Sequence, residues 1–381
     1  MRSIDITFLG GGPTGPTVID HYLKDGRTKN YLLITEEEDP RGAVNKGVKV
    51  VNPIVTKLPN ITRNQCAKYE ETLRLIRAAE ARLESIFRRT NAYTGASELA
   101  FRYCRDPEEL DILNGMPEFC SEVDDGLLSS TKEFIEKCLG SPIDVGLLFA
   151  YKERVWNVTE YMRIIMARIP GLMKVAAKRV EFDSQTSEGT FLVIHHVNGS
   201  TETVFTRKLI VCKGIGNINF ENQIMEKTAL SEKSFNFKVL EFSKFIYNRR
   251  EQMPNLVTSI MIPGYGICVT NEQEQKHSLL YDTNTNLSFA NRYDPRRMSD
   301  DITPIREKLN KLHPGLPQSC VEQFRCAMTV DSRAYTDDVE KHFQFVISPS
   351  VLKNVQYVNL PYFTVIGLAI NYLPKNINDL K

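Results

Sequence analysis

The sequence predicts an α/β fold in which a Rossmann-like nucleotide-binding domain is joined to a second, mainly antiparallel β domain. The chain opens with a βαβ unit of about 35 residues. This unit has an apolar strand at 4–9, a helix at 14–23 and a second strand at 31–35. A long amphipathic helix follows over 64–89, and the later part of the chain is rich in strands. This mixed order is typical of an α/β domain interrupted by an antiparallel lobe.

The later strands fall into groups separated by turn residues. An apolar strand at 209–212 follows a meander, whose strands are predicted at 172–182, 190–197 and 203–205. Residues 259–292 form a second strand-rich stretch. The last strands are predicted at 343–347, 356–360 and 363–366. Between the opening unit and the meander, residues 91–150 are predicted to form short helices.

This order of elements divides the chain into two discontinuous domains. We expect the nucleotide-binding domain to comprise residues 1–90, 151–220 and 340–381. The intervening stretches, 91–150 and 221–339, are expected to form a substrate or cap domain. A chain of 381 residues is long enough for two domains, because a single hydrophobic core seldom extends beyond about 250–300 residues.

The composition is that of an ordinary globular protein and argues against several classes of function. Of 381 residues, 42% are hydrophobic and 25% charged, and the formal net charge is +1. No global field therefore draws the chain to nucleic acid or to an anionic membrane. The N-terminus lacks the apolar run of a secretory signal, and the apolar stretch at 363–370 is too short to span a bilayer. We expect a cytoplasmic protein that binds neither nucleic acid nor membrane.

The cysteines and histidines suggest no metal site. Eight cysteines are scattered at irregular spacing without a CxxC pair, so neither a zinc site nor a disulfide framework is predicted. Reduced thiols in a cytoplasm fit this pattern best. His195 and His196 lie on a predicted strand without the spacing of metal ligands. We therefore expect no bound metal.

Gly10, Gly12 and Gly15 form a GxGxxG pattern between the first strand and the first helix. In such turns the first glycine permits the tight turn, and the second lets the backbone approach a pyrophosphate. The third lets the helix pack closely on the strand. Pro13 and Thr14 stand at the helix start, where a missing N–H costs little and the remaining amides attract phosphates. The pattern predicts a site for the pyrophosphate of a dinucleotide.

An acidic residue ends the second strand, where the adenosine ribose of a dinucleotide is bound. Glu36, with Glu37 beside it, is placed to accept hydrogen bonds from the ribose hydroxyls. A carboxylate there disfavours a ribose 2′-phosphate, so FAD or NAD is preferred to NADP. The alternative interpretation is that residues 36–38 are a solvated run of charge.

Segments further along the chain carry a family resemblance. Leu209 to Gly214 reads Leu-Ile-Val-Cys-Lys-Gly and resembles the hhhATG segment of flavoproteins with two dinucleotide-binding folds. The order of the C-terminal segments is similar to that of the D-amino-acid oxidase, glycine oxidase and sarcosine oxidase superfamily. These segments are His313 to Leu316, Cys326 to Asp331 and Phe363 to Ala369.

The resemblance implies a flavoprotein that binds FAD. It places Arg41 and Asn45, in the loop after the acidic cluster, over the pyrophosphate and the flavin. It also places Gly214, at the end of the apolar strand, against the cofactor. The last turn, at Gly367 and Leu368, would lie beside the isoalloxazine ring.

The same resemblance implies an activity. Members of the superfamily oxidise a C–N bond of an amine or amino acid by hydride transfer to the flavin, which here would serve a biosynthetic pathway. This chemistry needs no obligatory general base, and the sequence identifies no catalytic residue. Arg333 and Arg292 are candidates to bind a substrate carboxylate, with ordinary solvated positions as the alternative.

Two other functions stay open. A flavin monooxygenase shares the glycine pattern and the acidic residue, but it inserts an oxygen atom into its product. A non-catalytic flavin-binding subunit is favoured by the last turn, where Gly367 stands alone although the family has several glycines. Association with a partner protein, or with a second copy of the chain, is therefore also open.

Overall fold

The computed structural model describes the parts of the chain that carry the two main sheets. The residues described are 1–24, 30–36, 50–51, 81, 83–88, 99–115, 117, 120–152, 156–169, 171–214, 216–230, 236–248, 257–262, 266–271, 276–282, 288–289, 321–330 and 346–359.

The described residues contain helices and strands in alternation, followed by a long run of strands. The helices are α1 (Thr14–Lys24), α2 (Pro107–Asn114), α3 (Asp125–Leu139), α4 (Val158–Ala167) and α5 (Gly216–Thr228). The strands are β1 (Arg2–Leu9), β2 (Tyr31–Glu36), β3 (Val50–Val51), β4 (Leu99–Tyr103), β5 (Leu148–Lys152), β6 (Trp156–Asn157), β7 (Met173–Gln185), β8 (Thr190–His196), β9 (Thr201–Val211), β10 (Asn236–Asn248), β11 (Val257–Ile262), β12 (Gly266–Asn271), β13 (Lys276–Asp282), β14 (Ser288–Phe289), β15 (Val321–Val330), β16 (Val346–Pro349) and β17 (Val355–Asn359).

The first sheet has a parallel centre in which the strand order reverses. Its parallel strands lie in the order β7-β2-β1-β9-β17, and β16 pairs antiparallel with β17 at one edge. The chain thus builds outward from β1 to β2 and β7, and then crosses to the other side of β1 for β9 and β17. In sheets of this kind, ligands bind outside the carboxyl ends of the strands at the point where the order reverses. That point lies between β1 and β9.

A three-stranded antiparallel meander connects the two sides of this parallel centre. The first part of β7 pairs with β2, and its second part pairs with β8. Strand β8 in turn pairs with the beginning of β9, which then runs on beside β1. The predicted meander is confirmed, with one difference. The two strands predicted at 203–205 and 209–212 form the single continuous strand β9.

Hydrophobic residues cover both faces of the parallel centre, which is why its strands are almost continuously apolar. On one face, α1, α4 and helical residues 83–87 pack on side chains such as Leu33 and Ile210. On the other face, α5 packs with its Phe220 and Ile224 against residues of the meander and β17. The carboxyl ends of the strands are thereby held by cores on both sides.

The second sheet is antiparallel except at one pair of strands. Its order is β14-β10-β13-β12-β11-β4-β5, with β15 paired to β10, and only β4 with β11 is parallel among the described pairings. Helix α3 contributes Phe134 and Ile135 to a core with Phe101 of β4 and Ile260 of β11. The strands of this sheet come from 99–152 and 236–330, and the exact domain boundaries stay a prediction.

The prediction of short helices throughout 91–150 was wrong for two segments. Helices α2 and α3 are present, but residues 99–103 and 148–152 form strands β4 and β5. Strand β4 hides a charged residue, because Arg102 is 1% exposed and forms an ion pair with Glu109. A charge inside a five-residue segment concealed the strand pattern. The predictions for 64–80 and 363–366 lie outside the described residues.

Candidate functional site

The glycine-rich turn lies where three parallel strands end. Gly10 follows β1, and its N–H donates to the carbonyl of Ile34 in β2, at 2.9 Å. On the other side, the N–H of Cys212 donates to the carbonyl of Leu9, at 2.6 Å. The turn is therefore clamped between the ends of β2 and β9, at the reversal point of the sheet.

Two glycines of the pattern are required by the packing of the turn itself. Gly10 has a φ of +144°, and a Cβ placed there would lie 2.3 Å from the carbonyl oxygen of Cys212. A Cβ on Gly15 would lie 3.1 Å from the carbonyl oxygen of Gly10 and 3.7 Å from Leu33 Cδ1. Gly12 lies between them and is buried. The first and third glycines thus have the roles that the pattern predicts, a tight turn and close packing of helix on strand.

The first turn of α1 is fixed by a buried hydroxyl pair. The carbonyl of Pro13 accepts hydrogen bonds from Thr17 N, at 3.3 Å, and from Thr17 Oγ1, at 2.7 Å. The Thr17 hydroxyl also lies 2.9 Å from the hydroxyl of Tyr161 in α4. The first amides of a helix have no intrahelical acceptor, and since residue 16 is a proline and Thr17 N–H donates to Pro13, it is the N–H groups of Thr14 and Gly15 that can face an anion. Tyr161 therefore anchors the first turn of α1.

Glu36 ends β2 and is held from two sides. Its Oε1 accepts a hydrogen bond from the N–H of Val180 in β7, at 2.7 Å. Its other carboxylate oxygen forms an ion pair with Nζ of Lys213, just beyond β9. The two side chains are 14% and 15% exposed. Glu36 is therefore a partly buried, bonded carboxylate, and the alternative of a solvated charge run does not describe it.

The segment after β9 brings Lys213 to this carboxylate. The N–H of Lys213 donates to Oδ1 of Asn217, at 2.8 Å, and Gly214 has a φ of +58°. These features turn the chain sharply from β9 into α5. The ammonium of Lys213 lies 5.6 Å from the centre of the Phe220 ring. The aliphatic stem thus runs along the start of α5 and carries its charge back to the end of β2.

Several predicted site residues are brought to one edge of the first sheet. The carboxyl ends of its parallel strands carry Gly10, Gly12, Pro13, Thr14, Gly15, Glu36 and Gly214. The remaining predicted residues lie outside the described residues, and these are Glu37, Arg41, Asn45, Arg292, Arg333, Gly367 and Leu368.

Sequence reasoning missed Lys213 and Tyr161 as parts of this site. For Lys213 a signal was present, because a lysine stands where the resembled segment has threonine. Tyr161 gave no signal, since an apolar helix face with a tyrosine is indistinguishable from ordinary core until the helix is seen against α1.

The described cysteine at this edge is a core residue, and the two histidines of β8 lie beside carboxylates. Cys212 is buried in the core beside the turn, and loss of solvent around it raises the pKa of its thiol well above the ordinary range. A thiol held protonated is inert as a nucleophile. His195 and His196 face Glu181 and Glu202, at 3.6 Å and 3.5 Å. Among the described residues, no group of three or more potential ligands could hold a metal ion.

No helix in the described part of the chain combines the length and the apolar character needed to cross a bilayer.

No sequence-family model and no curated protein sequence matches the chain. In three dimensions it has the fold of the FAD-dependent oxidoreductases. The structure of iminodiacetate oxidase from Chelativorans sp. BNC1 matches with a TM-score of 0.63 and 11% identity, over 98% of this chain and 95% of that chain. Glycine oxidase from Geobacillus kaustophilus matches with a TM-score of 0.58 and 13% identity, over 100% and 95%.

A third similar structure is that of L-α-glycerophosphate oxidase from Mycoplasma pneumoniae with FAD bound. Its TM-score is 0.59 at 14% identity, over 100% of this chain and 96% of that chain. At these identities the likeness establishes the fold. It confirms, at the level of the fold, the resemblance to the superfamily of glycine oxidase.

Proposed function

We propose that the protein is an FAD-dependent oxidoreductase that oxidises a C–N bond of an amine or amino acid. The observation that carries the proposal is the placement of the GxGxxG turn. It lies at the reversal point of a parallel sheet with Glu36 at the end of the neighbouring strand. Similarity to FAD-dependent oxidases over nearly the whole chain supports it.

The described residues fit the ADP part of FAD. Because Gly10 has no side chain, the backbone of the turn can pack closely against the ends of β2 and β9. We propose that the backbone at Gly12, together with the helix start at Pro13, Thr14 and Gly15, binds the pyrophosphate. The positive end of the helix dipole and its free amides favour two negative phosphates there.

Glu36 is proposed to bind the adenosine ribose. An ionised carboxylate can accept about four hydrogen bonds. Val180 N–H and the Lys213 ammonium occupy two of these directions, so acceptor capacity for ribose hydroxyls remains. Gly214, at the end of β9, is proposed to leave space beside the same cofactor end, since nothing lies within 4 Å of a Cβ built on it.

The remaining assignments follow from the resemblance. Arg41 and Asn45 are proposed to cover the pyrophosphate and flavin, with Glu37 supporting Glu36. Gly367 and Leu368 are proposed to approach the isoalloxazine ring. Arg292 and Arg333 are proposed to bind a substrate carboxylate, for which a bidentate guanidinium is well suited.

The bound flavin would supply the hydride acceptor, and the protein would supply orientation and electrostatics. The names of two similar structures, iminodiacetate oxidase and glycine oxidase, point to substrates with a C–N bond. The glycerophosphate oxidase shows that the same fold also serves an alcohol substrate. An amine or amino acid is favoured here for two reasons. Two of the three similar structures are oxidases of such compounds, and the C-terminal segments resemble the superfamily that contains glycine oxidase.

The first test is the visible spectrum of the purified protein. We expect flavin bands and, after denaturation, release of FAD and not FMN, because the first βαβ unit is built for an ADP moiety. Adding FAD at a hundred times its Kd to the apoprotein should raise the free energy of unfolding by about 2.7 kcal/mol. A colourless protein that binds NAD but no flavin would contradict the proposal.

Two variants locate the cofactor. Gly12→Val should abolish FAD binding by blocking approach of the pyrophosphate, whereas Gly126→Val, at an exposed glycine at the start of α3, should not. Glu36→Ala should weaken FAD binding by about 1.5–3 kcal/mol through loss of charged hydrogen bonds. Unchanged affinity in Glu36→Ala would move the ribose contact to another residue.

The substrate class is tested by anaerobic reduction of the bound flavin with a panel of amino acids, secondary amines and glycerol 3-phosphate. We expect reduction by an amine or amino acid, followed by peroxide formation when oxygen is admitted. Reduction by glycerol 3-phosphate alone would replace the C–N assignment with a C–O one. An inserted oxygen atom in the product would indicate a monooxygenase. Reduction by no substrate, with a stable complex to another protein, would indicate a non-catalytic subunit.

A further inference from the structure

The ammonium of Lys213 reaches the carboxylate of Glu36 across the carboxyl edge of the first sheet. Lys213 follows β9 and Glu36 ends β2, and these two strands lie on opposite sides of β1. The ion pair therefore spans the glycine-rich turn, which lies between these strands. Both side chains are about six-sevenths shielded from solvent, at 15% and 14% exposure.

This pair differs from an ordinary surface ion pair in how firmly both partners are held. Glu36 is fixed on its other oxygen by Val180 N–H at 2.7 Å. The stem of Lys213 packs against Gly216 at the start of α5. The contact is so close that a Cβ built on Gly216 would lie 3.1 Å from Cβ and Cε of Lys213. The ammonium also lies near the face of Phe220, at 5.6 Å from the ring centre. Little side-chain entropy remains to be lost when the pair forms.

We propose that Lys213 is a positioning residue for the cofactor, which holds the Glu36 carboxylate in the orientation that binds the adenosine ribose. The proposal rests on the assignment of an ADP-containing cofactor to this site. With Val180 N–H on one oxygen and the Lys213 ammonium on the other, the orientation of the carboxylate is set while each oxygen keeps acceptor capacity for a ribose hydroxyl. A threonine at this position, as in the resembled segment, carries no charge and cannot make the ion pair.

The pair also has an electrostatic consequence. A carboxylate that is mostly withdrawn from water costs free energy unless a cation compensates it. Lys213 supplies that cation, so the neutral ribose can displace the remaining water without leaving Glu36 uncompensated. A role through Glu36 predicts that the effect of Lys213 depends on the ribose hydroxyls. A role through phosphate contact, or through the fold alone, predicts no such dependence.

The test compares binding of ADP and of 2′,3′-dideoxyadenosine 5′-diphosphate to the full-length apoprotein by calorimetry. For Lys213→Met we expect ADP to bind roughly tenfold more weakly, the loss of about one charge-assisted hydrogen bond. Binding of the dideoxy compound should change less than twofold. Lys178→Met, at an exposed lysine of β7, should leave both affinities at wild-type values. Lys213→Arg should recover part of the ADP affinity because it keeps the charge.

Suppose that the wild-type protein binds ADP and FAD. If Lys213→Met then weakens binding of ADP and of the dideoxy compound equally, or weakens neither, this inference alone is overturned. Wild-type protein that binds neither FAD nor ADP overturns the proposed function and this inference with it. If Lys213→Met does not fold, Lys213→Gln gives the same comparison with a polar side chain. In a Glu36→Gln background, Lys213→Met should have no further effect on ADP, and a full additional loss would overturn the inference.

Discussion

At the scale of single residues, the glycines of the first turn differ in what requires them. Gly10 is required by the fold, since its φ of +144° and the nearby carbonyl of Cys212 exclude a side chain. Gly12, in contrast, is proposed to be required by the cofactor. Spacing alone predicts a glycine at both positions, but it does not distinguish a contact inside the protein from a contact with a ligand.

Replacing Gly10 should therefore destabilise the protein even without cofactor. Gly10→Ala is expected to lower the free energy of unfolding by about 2–4 kcal/mol, since it combines a strained φ with a contact of 2.3 Å to Cys212 O. Urea denaturation of the apoprotein measures the loss. Gly199→Ala is the matched control, because Gly199 has a φ of +84° with nothing within 4 Å. Equal losses in the two variants would show that the contact with Cys212 contributes nothing.

The limit of sequence reasoning at this scale is the pairing of distant residues. Glu36 was predicted as the ribose acid from its place after β2, without its partners. Its bond to Val180 depends on β7 lying beside β2. Its ion pair with Lys213 depends on β9 lying on the far side of β1. No local pattern in the sequence contains that arrangement, so the ion pair becomes visible only in the folded chain.

At the scale of elements, the contact between α1 and α4 fixes the first turn of α1, where the pyrophosphate is proposed to bind. Tyr161→Phe removes one buried hydroxyl partner of Thr17, which keeps its bond to Pro13 O. We expect a loss of about 1 kcal/mol in the free energy of unfolding, the contribution of one buried hydrogen bond. Denaturation of the apoprotein tests this. Tyr103→Phe, at a half-buried tyrosine of β4, is the comparison, and a loss as large there would contradict a specific role for Tyr161.

The missed strand β4 depends on a buried ion pair that should be sensitive to removal of one partner. Arg102 Nε donates to Glu109 Oε1 at 2.8 Å, and Arg105 N donates to Glu109 Oε2 at 2.8 Å. Arg102→Leu removes the buried cation of the Glu109 carboxylate and leaves only the exposed Arg105 guanidinium, at 3.6 Å, which we expect to cost about 3 kcal/mol. Arg102→Leu combined with Glu109→Leu should cost less. A double variant less stable than the single one, by urea denaturation, would contradict this reasoning.

The elements that could be predicted are those whose pattern is local. The βαβ opening and the meander have apolar runs bounded by glycine and turn residues, and both are confirmed. Strand β4 could not be predicted, because its charge at Arg102 is compensated by a residue of α2 and its parallel partner, β11, lies far along the chain. Tertiary contacts, rather than propensity, decide such a segment.

At the scale of the whole molecule, the buried thiols of Cys104 and Cys212 and the buried hydroxyl of Tyr357, all among the described residues, link the fold to pH. Burial raises the pKa of Cys104 from 9.0 to about 12, with the nearby Glu109 adding to the effect. Burial also raises the pKa of Cys212. The pKa of Tyr357 lies well above its ordinary 10.0 because of burial and then the charge of Glu221, to which its hydroxyl donates at 2.5 Å. All three groups therefore stay protonated in the folded protein when the unfolded chain has begun to ionise.

The sign of the resulting pH dependence follows from where each group holds its proton. Below about pH 9, both states are protonated at these sites, and their contribution to stability is fully present. Above that pH the unfolded chain releases protons that the folded chain retains, so unfolding becomes favoured. Each group contributes a slope of up to about 1.4 kcal/mol per pH unit. For Cys104 the loss continues until the pH reaches about 12.

We therefore expect the free energy of unfolding, measured in urea under reducing conditions, to fall steadily as the pH rises above 9. Cys104→Ala and Cys212→Ala should each remove the contribution of one thiol from that slope, which is up to about 1.4 kcal/mol per pH unit. The two reductions should add, because Cys212 lies in the core of the first sheet and Cys104 directly follows β4 of the second sheet. Comparing slopes separates this linkage from the cavity that each alanine creates, since a cavity lowers stability equally at every pH. A slope unchanged in both variants would show that neither thiol ionises on unfolding.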